Sequence, residues 1–246
     1  MEYLDLTPYD YFSFPLPMLA VGWLGAGHGV QDSGAPPMTQ ADLRRLRAAS
    51  RRPGMMTLGW HSCDFCPKVE DWLEGSRSGN GQYHYYGRDG ETYAAPVMIM
   101  HYVAVHDYRL PVQVRQALTT AGELPWDGRA ERLAEVLLDP SADMEWRAEA
   151  AIDLAHWHDP RALAALRQAA CNEELISIAG YNMGISIGML LGLDFASGLH
   201  TEDLLILPAR TGLWYELCDG CRTMICCLGA RCHRAATSSS GPHRDR

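Results

Sequence analysis

Lysine is almost missing from this 246-residue chain: Lys68 stands alone against 20 arginines. Arginine codons are GC-rich and lysine codons AT-rich, so the imbalance points to a GC-rich genome and carries little chemistry. A basic surface is missing too. The formal charge is −9, which excludes nucleic-acid or acidic-lipid binding through a general cationic face. The sign is uneven, since five arginines against two aspartates from Cys218 onward leave that tail positive. A secretory leader is not evident either. The first 20 residues carry Glu2, Asp5 and Asp10, and Pro8, Pro15 and Pro17 interrupt any apolar core. The expected compartment is the cytoplasm, where thiols stay reduced or bind metal.

What is present is ordinary globular material: 47% hydrophobic and 21% charged residues, enough for a sizeable core. The periodicities divide it into an α+β domain over residues 1–122, a helical segment over 127–215 and a Cys/Arg-rich tail over 216–246. In the first part a short strand is expected near Leu19–Leu24. A helix should begin at Thr39, with Asp42 in its first turn. "MMTLGW" (55–60) reads as a strand, and "QYHYYGRDGETYAAP" (82–96) as a hairpin turning on Arg88-Asp89-Gly90. Pro96 then opens a buried helix, and a second short helix ends at Gly122.

In the helical part Asp127, Asp143, Asp159 (with Pro160 at the first helical position) and Asn172 are placed as N-caps of four helices. Their short joins predict an antiparallel stack. Residues Ala150, Ala151, Leu154 and Ala155 superpose on Ala179, Gly180, Met183 and Gly184 at an offset of 29, as in solenoid repeats. Gly180, Gly184, Gly188 and Gly192 form one smooth face in the 19 uncharged residues Leu175–Leu193. Small residues at this spacing serve membrane helix pairs. Here polar residues dilute the run and no basic anchors flank it, so a buried inner helix is expected and not a span.

Histidine and cysteine carry the chemistry. The eight cysteines fall into Cys63/Cys66, a lone Cys171 and a cluster from Cys218 to Cys232. "GWHSCDFCPK" (59–68) admits three readings: half of a zinc site, two buried thiols beside a histidine, or a redox pair. A Cys-x-x-Cys knuckle presents two thiolates to one ion. With no second such pair before residue 171, histidines must complete a site. His28, His84 and His106 are within the same domain. The expected set is Cys63, Cys66, His61 and His101: His61 alternates with Cys63 on an extended chain, and His101 lies in an apolar run where a lone imidazole is costly. Zinc deaminase chemistry does not fit this stretch, because His61 is followed by Ser62 and Cys63 where that chemistry needs His-x-Glu, and Pro67 comes after the cysteine pair, not before it. A Cys66–His101 nucleophile pair lacks an orienting acid. Trp146, His156, Trp157 and His158 read mainly as structural. The tail Cys218, Cys221, Cys226, Cys227, Cys232 and His233 has ligands without a scaffold, and its composition suits a disordered or frameshifted end.

Two stretches resemble known families. "LLDPSADMEWRAEAAIDLAHWHDPRALAALRQAACNEEL", within residues 128–195, resembles HEAT-like repeats, in which a small-residue helix with an early arginine (Arg147) precedes an Asp-Pro-Arg-Ala turn. The second copy departs, with "LISI" at the arginine position. "YLDLTPYDYF", "GWHSCDFC" and "YAAPVMIMHYVAVHDYRLPVQV", within residues 3–118, resemble an uncharacterised bacterial domain, often actinobacterial, that can precede such repeats. The resemblance implies a discrete domain and a protein-binding role for the stack. The expectation is a non-enzymatic, protein-binding protein with neither nucleic-acid nor membrane partners. The alternative is a metal-dependent enzyme with its site between Cys63/Cys66 and the His101 helix.

Overall fold

The computed structural model describes residues 1–192 apart from 32, 57–60, 68–77, 121 and 123. The expectations for the rest of the chain, the cysteine-rich tail included, lie outside the described residues. The centre is a four-stranded sheet in the order β1 (Pro8–Tyr9), β2 (Met18–Ala20), β6 (Thr92–Pro96) and β5 (Gln82–Tyr86). β2 and β6 run parallel; the other neighbours are antiparallel. A separate two-stranded ribbon pairs β3 (His61–Ser62) with β4 (Ser78–Gly79).

The period of two decides how the layers assemble. Tyr83 and Tyr85 of β5, with Tyr93 and Ala95 of β6, enter a core shared with α1 (Gln40–Ala49), α2 (Ile99–Val105) and α3 (Val112–Thr119). The alternate positions Tyr86 and Ala94, with Met18 and Ala20, enter a second core. That core is completed by α4 (Gly128–Leu138), α5 (Met144–Asp153), α6 (Pro160–Ala169) and α7 (Glu173–Leu190). The sheet is therefore a middle layer, buried on both faces, and its all-buried β5 and β6 fit that position. The helical segment packs on it as two stacked pairs: α4 touches α5 and α6, and α7 touches the same two.

Five of the seven described helices start where a side chain satisfies free N–H groups; α2 and α3 start without one. Thr39 and Asp42 form a reciprocal capping box on α1. Asp127, Asp143, Asp159 and Asn172 cap α4 to α7 as their sequence positions predict. Each such cap is worth about 1 kcal/mol. The hairpin also forms as expected, Gln82 pairing with Pro96 and Tyr86 with Thr92. Buried Arg147 donates from Nε to the Leu137 carbonyl at the C-terminal end of α4.

Three local expectations change. The strand near Leu19–Leu24 stops at Ala20, since Gly22 turns the chain at φ +68°. Met55 and Met56 are not in a strand: Met55 has φ +44° and gives its N–H to Glu149 Oε2 at 2.9 Å. Pro96 does not open a helix but remains extended as the last residue of β6, and α2 starts at Ile99. In α7, Gly180, Gly184 and Gly188 are buried, and α7 approaches α5 closely enough for Ser186 Oγ to donate to the Ala151 carbonyl at 2.6 Å. Among the described residues no helix is long and apolar enough to cross a membrane.

Arg129 ties the β5–β6 turn to the start of α4. Its guanidinium donates to the Gly87 carbonyl at 2.7 Å and to the Glu91 carbonyl, pairs with Asp127, and lies 5.7 Å from the Tyr86 and Trp157 ring centroids. Removing it takes a charged donor from two carbonyls, each left with one backbone N–H, and uncovers two rings. Arg129→Ala should lower unfolding stability by about 2–3 kcal/mol in urea titrations. Arg129→Lys should restore only part of this, because an ammonium cannot reproduce the planar fork.

Candidate metal centre

The ribbon β3–β4 delivers the chain to Cys63, and the turn Asp64–Phe65 brings Cys66 back beside it. Asp64 fastens the turn by accepting the Ala26 N–H at 3.3 Å. Opposite lies the end of α2. His101 is buried on that helix, and His106 is its C-cap residue, with its N–H bonded to the Tyr102 carbonyl. Asp107 then takes a left-handed φ of +53°, and the Tyr108 N–H returns to the same carbonyl at 3.2 Å. Aspartate tolerates this conformation better than most residues.

The result is a cluster whose four ligand atoms all lie within 4.8 Å of one another: Cys63, Cys66, His101 and His106. Cys63 Sγ is 3.2 Å from His106 Nε2, and Cys66 Sγ is 3.4 Å from both His101 Nε2 and His106 Nε2. The two Nε2 atoms are 3.2 Å apart. Tetrahedral zinc, with Zn–S ~2.3 Å and Zn–N ~2.0 Å, gives S–N edges of about 3.5 Å and N–N edges of about 3.3 Å. The observed edges fall close to these.

Hydrogen bonding alone does not account for the arrangement. His106 Nε2 has three close neighbours in Cys63, Cys66 and His101, yet an imidazole nitrogen offers one in-plane lone pair or one N–H. A cation at the centre lets all four atoms point inward without competing. Burial pushes the Cys63 thiol up, and the neighbouring Cys66 adds to this, while the backbone N–H groups of Phe65 and Cys66 favour the thiolate. Phe65 packs against the His106 ring at 5.4 Å, and Tyr102 against the His101 ring at 5.8 Å, which limits rotation of both imidazoles.

Of the four expected ligands, the structure brings together Cys63, Cys66 and His101. His61 is outside the group: it is exposed on β3, which ends at Ser62, so the alternation that would align it with Cys63 is lost at the turn. His106 takes the fourth place. A helical-face argument looks for partners three or four residues from His101, whereas His106 is five away and reaches the site only because α2 ends at Val105. His28 is engaged by Glu2 at 3.0 Å.

His84 belongs to a different group. It faces the helical stack, with Nδ1 2.7 Å from Asp153 Oδ2 and 3.4 Å from Glu149 Oε1. Burial, the largest single effect, favours neutral His84, but the Asp153 charge, the hydrogen bond to Asp153 and the Glu149 charge together outweigh it and raise the histidine's pKa. Burial likewise pushes Asp153 up, but His84 offsets this and leaves the carboxyl lowered. Glu149 is pushed up to about 7, first by burial and then by Asp153. Trp157 is fully buried, His156 packs on Tyr86 at 5.0 Å, and His158 is exposed.

Residues 1–119 match a family model described as a domain of unknown function (DUF7919), a span that coincides with the resemblance over residues 3–118 and contains all four Cys/His residues. No curated protein and no solved structure matches the chain.

Single substitutions should separate the ligands from their neighbour. His106→Ala should abolish tight metal binding and His61→Ala should leave it unchanged, as read by metal content after dialysis against a weak chelator. Removing one structural ligand or its support costs at least 10–100-fold in affinity, roughly.

Proposed function

We propose that the protein is a non-enzymatic, protein-binding module in which zinc at Cys63, Cys66, His101 and His106 stabilises the N-terminal domain and a HEAT-like stack supplies the contact surface. The observation that carries the zinc reading is the four-cornered donor set itself. Two thiolates and two imidazoles at tetrahedral spacing suit zinc. They also fill its coordination sphere, whereas catalytic zinc keeps a position open for water or substrate. This argues for a structural ion and against a metal-dependent enzyme at the same place. Thiolate ligands need reduced cysteines, which favours the cytoplasm.

The stack supports the binding role in two ways. α5 and α7 repeat at the offset of 29, and the superposed pairs Ala150/Ala179 and Leu154/Met183 are all buried, so the helices play equivalent parts. α7 also presents apolar side chains to solvent: Ile178 is 61% exposed, and Met189 and Leu191 are exposed beyond it. An apolar stripe on the outer helix of a stack is a contact surface for a protein partner.

Two measurements test the reading. Purified protein should hold zinc at the Cys/His site, and adding small anions to a cobalt-substituted sample should leave its visible spectrum unchanged. A spectrum that shifts with anion binding would reveal an open position and favour the enzyme. In-cell cross-linking should join the chain to a specific protein, and Ile178→Asp with Met189→Asp should lose that product at unchanged urea midpoint. Retention of the product by this double variant would sink the assigned surface.

A further inference from the structure

The second histidine group does not belong to the zinc site. We propose that His84, Glu149, Asp153 and Tyr86 form a second metal centre, binding a divalent cation such as Mn²⁺, Fe²⁺ or Zn²⁺ where the sheet meets the helical stack. The proposal does not depend on the Cys/His reading.

The geometry points to it first. One ligand atom each from His84, Glu149 and Asp153 lies within 4.8 Å of the others. The three side chains are 0%, 5% and 3% exposed. They come from both layers, His84 from β5 and the two acids from successive turns of α5. An Asp and a Glu four apart on a helix face the same way.

A buried atom that lacks a partner supplies an independent observation. The Tyr86 hydroxyl is buried and has no hydrogen-bond partner of normal geometry, and the charges of Asp153 and Glu149 both act on it. Leaving a buried hydroxyl without a partner is costly, since it gives up its hydrogen bonds to water. A cation between the carboxylates gives that oxygen an electrostatic partner.

The surrounding groups are arranged as supports. His84 Nε2 meets the Gln82 amide at 2.6 Å, and Gln82 in turn is held by the Tyr9 hydroxyl. As placed, the Tyr9 hydroxyl donates to Gln82 Oε1 and the Gln82 amide nitrogen meets His84 Nε2, which leaves the proton on Nδ1; metal binding requires the amide to turn, so that its oxygen accepts from Nε2–H and the Nδ1 lone pair is free. Glu149 gives Oε2 to the Met55 N–H at 2.9 Å and keeps Oε1 toward His84. Ligands held through their outer atoms in this way are usual at metal sites.

Charge favours occupancy. The charge of Arg52 acts on both acids, but its terminal nitrogen donates to α7, to the Asn182 carbonyl and Ser186 Oγ at 2.9 Å each, and it forms no ion pair with either carboxylate. His156 and Arg129 face Tyr86. His84 is thus the group that meets both acids directly. In the metal-free state its Nδ1 proton fills the 2.7 Å contact with Asp153. A dication displaces that proton to solvent and opens the edge to about 3 Å. Imidazole with hard oxygens and no sulfur selects Mn²⁺, Fe²⁺ or Zn²⁺ over soft ions, and disfavours the all-oxygen preferences of Ca²⁺ and Mg²⁺.

The full chain, stripped with chelator and reloaded with Co²⁺, is the sample for the test. X-ray absorption should resolve a nitrogen/oxygen-only cobalt shell beside a sulfur-containing one, and Glu149→Gln should bind one Co²⁺ fewer per chain. Cys63→Ser with Cys66→Ser should keep the sulfur-free ion, so failure of the zinc reading and failure of this one are distinguishable. An unchanged count in folded Glu149→Gln overturns the proposal. If that variant does not fold, the wild-type spectrum decides, and a sample without the sulfur-free shell overturns it equally.

Discussion

A carboxylate buried as deeply as Asp153 has to find its compensating charge without help from water. Moving such a group from water into a protein interior costs several kcal/mol even after relaxation. Its partner, His84, is on a different layer, 2.7 Å away across the joint between sheet and stack. That constraint fixes the register of the whole assembly. β5 must present His84 to α5, so Tyr86 on the same face meets Trp157, and Tyr83 and Tyr85 turn toward α1, α2 and α3. A slip of one residue would exchange the two sets, placing tyrosines against the acids and a histidine in an apolar core.

The same strand therefore has two unlike faces, both buried. One is aromatic and dry. The other carries Gln82 and His84 into a polar seam lined by Tyr9, Arg52, Glu149, Asp153 and Ser186. Polar seams of this kind add little net stability compared with apolar packing, but they reject misaligned docking, because any misfit leaves a charge unpaired. The seam and the Arg129 contacts to the hairpin turn together explain how four helices outside the matched domain share one hydrophobic core with its sheet.

At the other side of the domain, the Cys/His group has a different logic. Its four members come from the turn that follows β3 and from the end of α2, and Cys63, Phe65, Cys66 and Tyr102 also pack into the domain's own core. An ion bound there would tie the turn to the helix end directly, as in small domains whose metal supplies folding energy.

The sequence determined the parts that obey local rules. Five helix starts were legible from Thr39, Asp127, Asp143, Asp159 and Asn172, because a cap is a bond between neighbours. The hairpin was legible from alternating aromatics about a glycine turn, and Cys63, Cys66 and His101 from spacing and from the cost of an isolated imidazole. Tertiary structure alone decided the rest. That His106, and not His61, lies in the group with Cys63, Cys66 and His101 depended on where α2 stops and on a left-handed Asp107, which no periodicity announces. The meeting of His84 with Glu149 and Asp153 joins residues 65 and 69 positions apart. Local pattern can say that such groups need partners; only the packing of sheet on helices can say which ones they find.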